Sequence, residues 1–379
     1  MLTVTIISCG GDDGPTGPDN PPEPEPTTGA VEITTNTTGD DIDPDGYEVA
    51  VADQNTNIDV SGSVILSDLS EGSYDVELTG TADNCSVSSN NPRSVSITAG
   101  DTTSTTFDIG CKTQLKNEII FQSDRNADPF TYELFVMNED GSDVRQLTSN
   151  GNFYPGDISS NGTKILYTNF SEDGLFKMSA DGSEQEKLIS DADIGLGSWS
   201  PDESQIVFSS YRDGDYELYI ADEDGSNIRQ LTENSYDDYS PVWSPDKNSI
   251  VFVSRPGDDS DLYSINADGT GLTQLTFAPQ NVGNARWSHD GQKLVFARNG
   301  DIFTINADGS NEQLVLDDSQ NLFYPYFSPD DSKIVYERNM GSQGGYELYI
   351  INVDGSGKPE NISNSYSSNE GKPIWSPVE

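Results

Sequence analysis

A sixteen-residue pattern occurs six times in this chain, and no other feature restricts the possible folds as strongly. The copy at residues 217–232 is ELYIADEDGSNIRQLT, and the other five align with it without a gap. A period of 40 to 46 residues is typical of repeat architectures, in which each copy is one unit packed against its neighbours. The period is set by the glycines Gly141, Gly182, Gly225, Gly269, Gly309 and Gly355.

Two further recurrent segments predict four strands in each repeat. An apolar segment such as QIVF at Gln205 precedes the sixteen-residue pattern, and an aromatic turn motif such as WSPDE at Trp199 precedes that segment. Four short strands in about 40 residues make one blade of a β-propeller. The apolar triplets at residues 206–208 and 218–220 do not alternate with polar residues, so both faces of these strands must be covered. Packing between neighbouring blades covers both faces.

The two ends of the repeat region predict how the ring closes. The first repeat, from about Leu115, has no aromatic turn motif before it, and the last segment, KPIWSPVE, is an innermost strand with nothing after it. Together they make one whole blade. The sequence therefore predicts an all-β protein whose residues 113–379 form a six-bladed propeller, closed by pairing of the C-terminal strand with the first blade. We expect Ile374 and Trp375 to lie beside residues 119–121.

The pattern WSPD…IVFSS…DGDYELYIADEDGSNIRQLT resembles the repeats of TolB-like six-bladed propellers over residues 115–379. It is also similar to the propeller domains of prolyl oligopeptidase-type enzymes. The resemblance implies the fold and a place in the bacterial cell envelope. TolB has a small α/β domain before its propeller and binds a peptidoglycan-associated lipoprotein. A different segment precedes the repeats here, so the resemblance does not imply the same partner for this chain.

The segment before the repeats is predicted to have three parts. Residues 1–9, MLTVTIISC, resemble the end of a lipoprotein signal with Cys9 as the lipidated lipobox cysteine, although no Lys or Arg precedes the apolar stretch. Residues 10–28 are rich in Pro, Gly and acids and predict a disordered tether. Residues 29–112 contain short stretches in which apolar and polar residues alternate, which predicts a β-sandwich. They resemble immunoglobulin-like or carboxypeptidase-regulatory-like modules. A lipid anchor on the periplasmic side of the outer membrane or at the cell surface is expected.

The charge of the chain restricts its partners. Sixty-five acidic and 19 basic residues give a formal net charge of -46, which repels nucleic acids and anionic lipid surfaces. The scattered acids predict a solvated surface, with cation binding by acidic loops as the alternative.

The segment DEDGSN, beginning at Asp222, starts like a calcium loop but lacks the glutamate at position twelve, so a hairpin turn is expected. No cofactor is therefore predicted, and Ca²⁺ is the one cation left open.

Two cysteines of the sandwich segment predict a disulfide. Cys85 and Cys111 are 26 positions apart. Their pairing implies an oxidising compartment, which agrees with an envelope location, and two buried free thiols are the alternative.

Catalysis is not indicated by the sequence. The single histidine, His289, occupies the proline position of an SPD-type turn, where solvent exposure is expected, and no G-x-S-x-G motif is found. The protein is therefore not expected to be an enzyme. A glycosidase needs only two carboxylates, so a carbohydrate-active enzyme of glycosidase or lyase type, using loop carboxylates such as Asp213 and Asp238, stays open as an alternative.

The variable loops are the predicted binding surface. If the four strands of a blade are called A to D from the innermost outward, the A–B and C–D turns share one face of the propeller. The B–C and D–A connections, which differ between repeats, share the other. These loops interleave tyrosines with acids and arginines. Tyr211 and Tyr236 are the stronger candidates, whereas Tyr154, Tyr239 and Tyr324 could equally pack on their neighbours. The candidate partner-binding residues are Tyr154, Tyr211, Arg212, Asp213, Tyr216, Tyr236, Asp238, Tyr239, Arg255, Phe323 and Tyr324.

These patterns together predict a non-enzymatic, lipid-anchored, monomeric protein of the cell envelope. It would capture an envelope protein or a polysaccharide such as peptidoglycan on the variable-loop face of the propeller. A purely structural envelope component is the further alternative.

Overall fold

The computed structural model describes residues 26–377, apart from 40, 43, 126–130, 279, 319, 342–343, 364 and 366–367. These residues form 32 β-strands in eight four-stranded sheets. The predicted signal, the lipidation site Cys9 and most of the predicted tether lie outside the described residues. Within residues 26–377 as described, no helix reaches the length and apolar character that crossing a bilayer requires.

The first eight strands form the predicted sandwich. Its two sheets have the orders β4-β1-β8-β6 and β3-β2-β5-β7. Burial alternates along β1, where Val31 and Ile33 are fully buried, because one face of the sheet is turned to the core. The predicted disulfide is confirmed, since Cys85 in β6 is bonded to Cys111 in β8. The strands are β1 (Thr28–Gly39), β2 (Tyr47–Val51), β3 (Gln54–Ile58), β4 (Ser63–Ser70), β5 (Gly72–Thr79), β6 (Cys85–Val87), β7 (Arg93–Ile97) and β8 (Thr102–Cys111).

Six antiparallel sheets form the blades of the propeller. Five blades use four consecutive strands each, counted from the innermost to the outermost. The first blade has the order β11-β10-β9-β32 and takes its innermost strand from the end of the chain. Its strands are β9 (Glu118–Ser123), β10 (Glu133–Asn138), β11 (Arg145–Gln146) and β32 (Glu370–Trp375). The second blade contains β12 (Phe153–Ile158), β13 (Lys164–Asn169), β14 (Gly174–Ser179) and β15 (Glu186–Ser190).

The other four blades repeat this arrangement. The third contains β16 (Ile194–Trp199), β17 (Gln205–Ser210), β18 (Glu217–Asp222) and β19 (Arg229–Gln230). The fourth contains β20 (Asp238–Trp243), β21 (Ser249–Ser254), β22 (Asp261–Asn266) and β23 (Thr273–Gln274). The fifth contains β24 (Val282–Trp287), β25 (Lys293–Arg298), β26 (Asp301–Asn306) and β27 (Gln313–Leu316). The sixth contains β28 (Leu322–Phe327), β29 (Lys333–Asn339), β30 (Tyr346–Asn352) and β31 (Glu360–Asn361).

The predicted ring closure is confirmed. Strand β32 pairs antiparallel with β9, with Trp375 opposite Ile119 and Ile374 opposite Ile120. Contacts between blades explain why the apolar triplets do not alternate. Val207 and Ile220 are fully buried in one cluster with Trp243 of the next blade. Each such side chain contributes roughly 1.5–3 kcal/mol on leaving water.

The repeated glutamate and threonine of the sixteen-residue pattern form a buried clasp. Glu217, only 1% exposed, accepts hydrogen bonds from the Thr232 hydroxyl and, at 2.6 Å, from the N–H of Asn234. Thr232 Oγ1 in turn accepts the N–H of Leu218 at 2.9 Å. The expectation that the acids are solvated is therefore wrong for this position. The equivalent pairs in other blades are Glu133 with Thr148, Asp261 with Thr276, and Glu347 with Ser363.

The repeated DGS turn is a hairpin turn, as predicted. Asp224 Oδ1 accepts the N–H of Ser226 at 2.9 Å, and Gly225 has a φ of 79°. The glycine has a second role that the sequence did not reveal, because a Cβ on Gly225 would lie 2.2 Å from the Leu188 carbonyl oxygen of the preceding blade. Among the described residues, no group of three or more His, Cys, Asp or Glu side chains is arranged to hold a metal ion.

Candidate functional site

The innermost strands of the blades are irregular at the same place. In β28 the register with β29 shifts between Phe323 and Tyr326, and in β32 the register with β9 shifts between Gly371 and Ile374. A bulge of this kind redirects a side chain, and a non-glycine residue with positive φ stores about 1–3 kcal/mol of strain. Four innermost strands have such a residue at the shift, namely Ser240, Asn284, Tyr324 and Lys372, with φ values of 54°, 37°, 49° and 50°.

Side chains from these positions and from the variable loops surround a cavity of about 440 Å³. Its walls carry five aromatic rings, two cations and one carboxylate. We call this cavity the funnel and define it by Tyr154, Phe170, Tyr216, Asp237, Tyr239, Arg255, Tyr324 and Lys372.

Lys372 lies at the floor of the funnel against two aromatic rings. Its Nζ is 3.4 Å from the ring centroid of Tyr154 and 5.1 Å from that of Tyr324. Within the described part of the chain no carboxylate oxygen lies within 4.0 Å of this ammonium group. Burial lowers the pKa of Lys372 to about 8, and the charge of Glu337 opposes this effect. The amine is therefore mostly protonated at pH 7.

Glu337 on β29 holds the backbone that carries Lys372. The residue is 6% exposed, and its Oε2 accepts the N–H of Lys372 at 3.1 Å. Burial raises the pKa of Glu337 to about 7. The neighbouring glycine leaves room for this contact, since a Cβ on Gly371 would lie 2.5 Å from Glu337 Oε2 and the carboxylate would have to shift.

The channel narrows sharply below Lys372. A second cavity of about 10 Å³, large enough for about one water molecule, is lined by residues that include Pro155, Leu196 and Pro373. Arg286 reaches across the channel at this level and donates a 3.3 Å hydrogen bond to the carbonyl oxygen of Gly156. The funnel thus ends at Lys372, and a ligand would reach this residue from the variable-loop face.

Comparison with known proteins agrees with this fold. Residues 192–379 match the family model described as TolB beta propeller domain. This match covers four of the six blades and the closing strand β32, so the propeller is of the TolB type. No curated protein sequence gives a significant match to the chain.

Three solved structures illustrate the likeness. TolB from Acinetobacter baumannii is 20% identical with a TM-score of 0.61, and the match covers 69% of this chain and 66% of that one. The putative TolB from Agrobacterium tumefaciens is also 20% identical, with a TM-score of 0.53 and coverage of 70% and 100%. A chain of the nidogen/laminin complex is 11% identical, with a TM-score of 0.57 and coverage of 69% and 100%. This chain spans slightly less than two thirds of the Acinetobacter protein. At these identities the likeness concerns the fold alone.

The TolB-type propeller brings several of the predicted binding residues together. Tyr154, Tyr216, Tyr239, Arg255 and Tyr324 all line the funnel. The sixth, Phe323, lines an adjoining cavity of about 460 Å³ that shares Tyr239, Arg255 and Tyr324 with the funnel.

The remaining candidates lie outside the funnel. Tyr211, 43% exposed, packs edge-on against Tyr216 with the ring centroids 5.2 Å apart, and Tyr236 is 39% exposed. Arg212 forms an ion pair with Asp191 at 3.0 Å.

The two carboxylates of the enzyme alternative are engaged with protein groups. Asp213 accepts a hydrogen bond from the Tyr219 hydroxyl. Asp238 is only 1% exposed and accepts a 2.8 Å hydrogen bond from Asn234, and burial raises its pKa. The histidine is not freely solvated as expected, because Nδ1 of His289 lies 3.2 Å from Asp331 Oδ1.

Sequence reasoning missed the two residues at the floor of the funnel. Lys372 and Glu337 were not among the candidates, and neither were Phe170 and Asp237. One signal was present for Lys372. When the six innermost strands are aligned on their aromatic turn motifs, their third residues are Pro155, Leu196, Ser240, Asn284, Tyr324 and Lys372, a set that contains a single cation.

Proposed function

We propose that this protein is a non-enzymatic binding protein of the bacterial cell envelope that captures a protein or glycan partner in the funnel. The TolB-type propeller supports an envelope-associated binding role in general terms. The observation that carries the proposal is the composition of the funnel. Five aromatic rings and two cations meet there, in a chain whose net charge is -46.

The physical properties of the funnel favour ligand binding. Its volume of about 440 Å³ is within the range of ligand pockets in proteins. Aromatic side chains and arginine supply much of the binding energy at interfaces, because they bury a large area with little loss of conformational freedom. Strained backbone at Tyr324 and Lys372 is also typical of functional sites.

The engaged state of the two candidate carboxylates favours binding over the enzyme alternative. Asp213 is bound to Tyr219, and Asp238 is buried beside Asn234. A hydrolase of the glycosidase type needs both carboxyl groups presented to the substrate.

The rest of the chain fits a tethered binding protein. In this proposal Cys9 carries the lipid, residues 10–28 form the tether and the sandwich acts as a spacer, with the protein monomeric and held at the periplasmic side of the outer membrane or at the cell surface. A Cys9→Ala variant should leave the membrane fraction. Its retention there would remove the anchor from the proposal.

Affinity capture from an envelope extract tests the binding role. The double variant Tyr154→Ala/Tyr239→Ala removes two rings of the funnel, whereas Tyr236→Ala removes an exposed ring outside it. Thermal unfolding should first show that the variants are folded. We expect the double variant to lose the captured partner and Tyr236→Ala to retain it. Unchanged capture by the double variant would contradict the proposed function.

A further inference from the structure

The funnel has one closed end, and a cation lies at that end. Below Lys372 the channel narrows to a cavity of about 10 Å³ lined by residues that include Arg286, Pro325 and Pro373, so a ligand approaches this amine with its tip and does not thread past it. An internal segment of a polymer would have to bend sharply to touch Lys372. The end of a chain meets it directly.

Among the described residues no carboxylate oxygen lies within 4.0 Å of the Lys372 ammonium, so it forms no ion pair there. Its Nζ faces the rings of Tyr154 and Tyr324 in cation–π contacts, and the charge of Glu337 acts on it from beyond ion-pair distance. Lys372 is partly withdrawn from water, and such a charge is costly unless it is paired. A carboxylate from a ligand would supply the charge-assisted hydrogen bonds that Lys372 lacks.

The charge of the surroundings restricts which anion can reach Lys372. The chain as a whole carries -46, Asp237 lies in the wall of the funnel, and Glu337 lies beside the backbone of Lys372. A polyanion, such as a polymer of acidic sugars, would bring one negative charge per unit against this field. A ligand whose single negative charge is at its end would bring that charge to Lys372, and the rest of the ligand would be neutral.

We propose that the funnel recognises the C-terminal end of an extended peptide segment of the partner. Its terminal carboxylate would bind the Lys372 ammonium, and its last side chain would pack among Tyr154, Tyr239 and Tyr324. Capture of a chain terminus through its carboxylate is an established mode of peptide recognition. This inference rests on the proposed function and identifies its ligand as a protein tail.

A comparison of free acids with amides tests the inference on the unmodified protein. The probe is an array of octapeptides that differ in their last two residues, each made with a free C-terminal carboxylate and as the matched C-terminal amide. Binding is measured by fluorescence polarisation of labelled peptides. We expect peptides with a large apolar or aromatic last residue to bind as acids and the matched amides to bind at least tenfold more weakly.

Variants locate the carboxylate. Lys372→Met keeps most of the length of the side chain without the charge, and it should abolish the preference for the acid. Lys372→Arg should retain part of that preference. Lys358→Met, which removes a lysine outside the funnel, should bind like the wild type. The acid–amide comparison on the wild type remains decisive if a Lys372 variant is unstable.

Three results would overturn the inference. Equal binding of acids and amides, or no binding of any free-acid peptide, would show that a terminal carboxylate is not the ligand. Binding of uronic-acid oligosaccharides alone would assign the amine to an acidic glycan. All three leave the proposed function intact if the Tyr154→Ala/Tyr239→Ala variant still loses its partner from the envelope extract. Acid-specific binding that survives this double substitution would place the ligand elsewhere and contradict both.

Discussion

The Nε1 of Trp375 donates a 2.9 Å hydrogen bond to Oδ1 of Asn117, which lies 258 positions earlier in the chain. Trp375 is fully buried, and it packs with Ile119 and Phe121 of the first blade and with Val335 of the sixth. The residue thus joins the last strand to the first blade and that blade to its neighbour. Its removal should affect the ring more than the loss of an ordinary core residue.

Truncation of Trp375 should destabilise the propeller strongly. We expect Trp375→Ala to lower the free energy of unfolding by about 3–5 kcal/mol, because a large cavity opens at the closing blade. Trp375→Phe should cost less but should still lose the hydrogen bond to Asn117, which contributes about 1 kcal/mol. Urea unfolding followed by far-UV circular dichroism measures both.

Trp243 offers a matched control for the hydrogen bond. It is 4% exposed, and its Nε1 has no hydrogen-bond partner among the described residues. Trp243→Phe therefore loses ring volume alone. Equal destabilisation by Trp243→Phe and Trp375→Phe would show that the bond to Asn117 does not contribute to closure.

The turn glycines should differ in their tolerance of alanine. Gly225 and Gly269 have nearly the same backbone, with φ values of 79° and 86°. A Cβ on Gly225 would lie 2.2 Å from the Leu188 carbonyl oxygen, whereas one on Gly269 would lie 3.6 Å from that of Leu231. Both substitutions place a Cβ on a backbone with positive φ and are destabilised by that strain. Only Gly225→Ala also forces two blades apart. We expect it to be the more destabilising by about 1–3 kcal/mol.

Thermal unfolding of the two glycine variants provides the measurement. The difference between them isolates the contact between blades, since the backbone strain is common to both. Equal melting temperatures would mean that the hairpin moves away from Leu188 without loss of stability.

The fold could be predicted from the sequence because its signals are local and repeated. The segment around Val207 lacks alternation because blades cover both of its faces, and the incomplete ends of the repeat region predicted the pairing of Trp375 with the first blade. Each signal recurs with the period of the blade, so one weak copy does not change the conclusion.

The floor of the funnel could not be predicted in the same way. The bulge in β32 interrupts the alternation of side chains, so the direction of Lys372 does not follow from its place in the strand. Glu337 is 35 positions away from Lys372 and belongs to another blade. The sequence does not show that Gly371 lies close to the Glu337 carboxylate, because this proximity depends on how the two blades pack. Composition was misleading for Glu217, because a count of acids does not show which are buried.

The disulfide should stabilise the sandwich and leave the propeller unchanged. The bond closes a segment of 26 positions, for which chain entropy predicts about 3 kcal/mol. All four tryptophans lie between Trp199 and Trp375, whereas residues 29–112 contain none. In the Cys85→Ser/Cys111→Ser variant we therefore expect an earlier transition by circular dichroism and an unchanged one by tryptophan fluorescence. An earlier transition by both probes would show that the two parts unfold together.

The buried carboxyl of Glu337 should make stability depend on pH in a defined window. Burial raises its pKa from 4.5 to about 7, so the folded protein binds more protons than the unfolded chain between these values. The contribution of Glu337 to the free energy of unfolding therefore falls as the pH rises from about 4.5 to 7, by up to about 3 kcal/mol, and stays reduced above that range.

Substitution of Glu337 by glutamine should remove this dependence. Glu337→Gln keeps an oxygen that can accept the N–H of Lys372 but cannot ionise. Relative to the wild type we expect it to gain stability progressively between pH 4.5 and 7, with no further gain from this carboxyl above that window. Urea unfolding at a series of pH values gives the difference, which cancels the titration of the other acids. A difference that stays constant from pH 4.5 to 8 would mean that Glu337 has the same pKa in the folded protein as in the unfolded chain, and its raised pKa would be wrong.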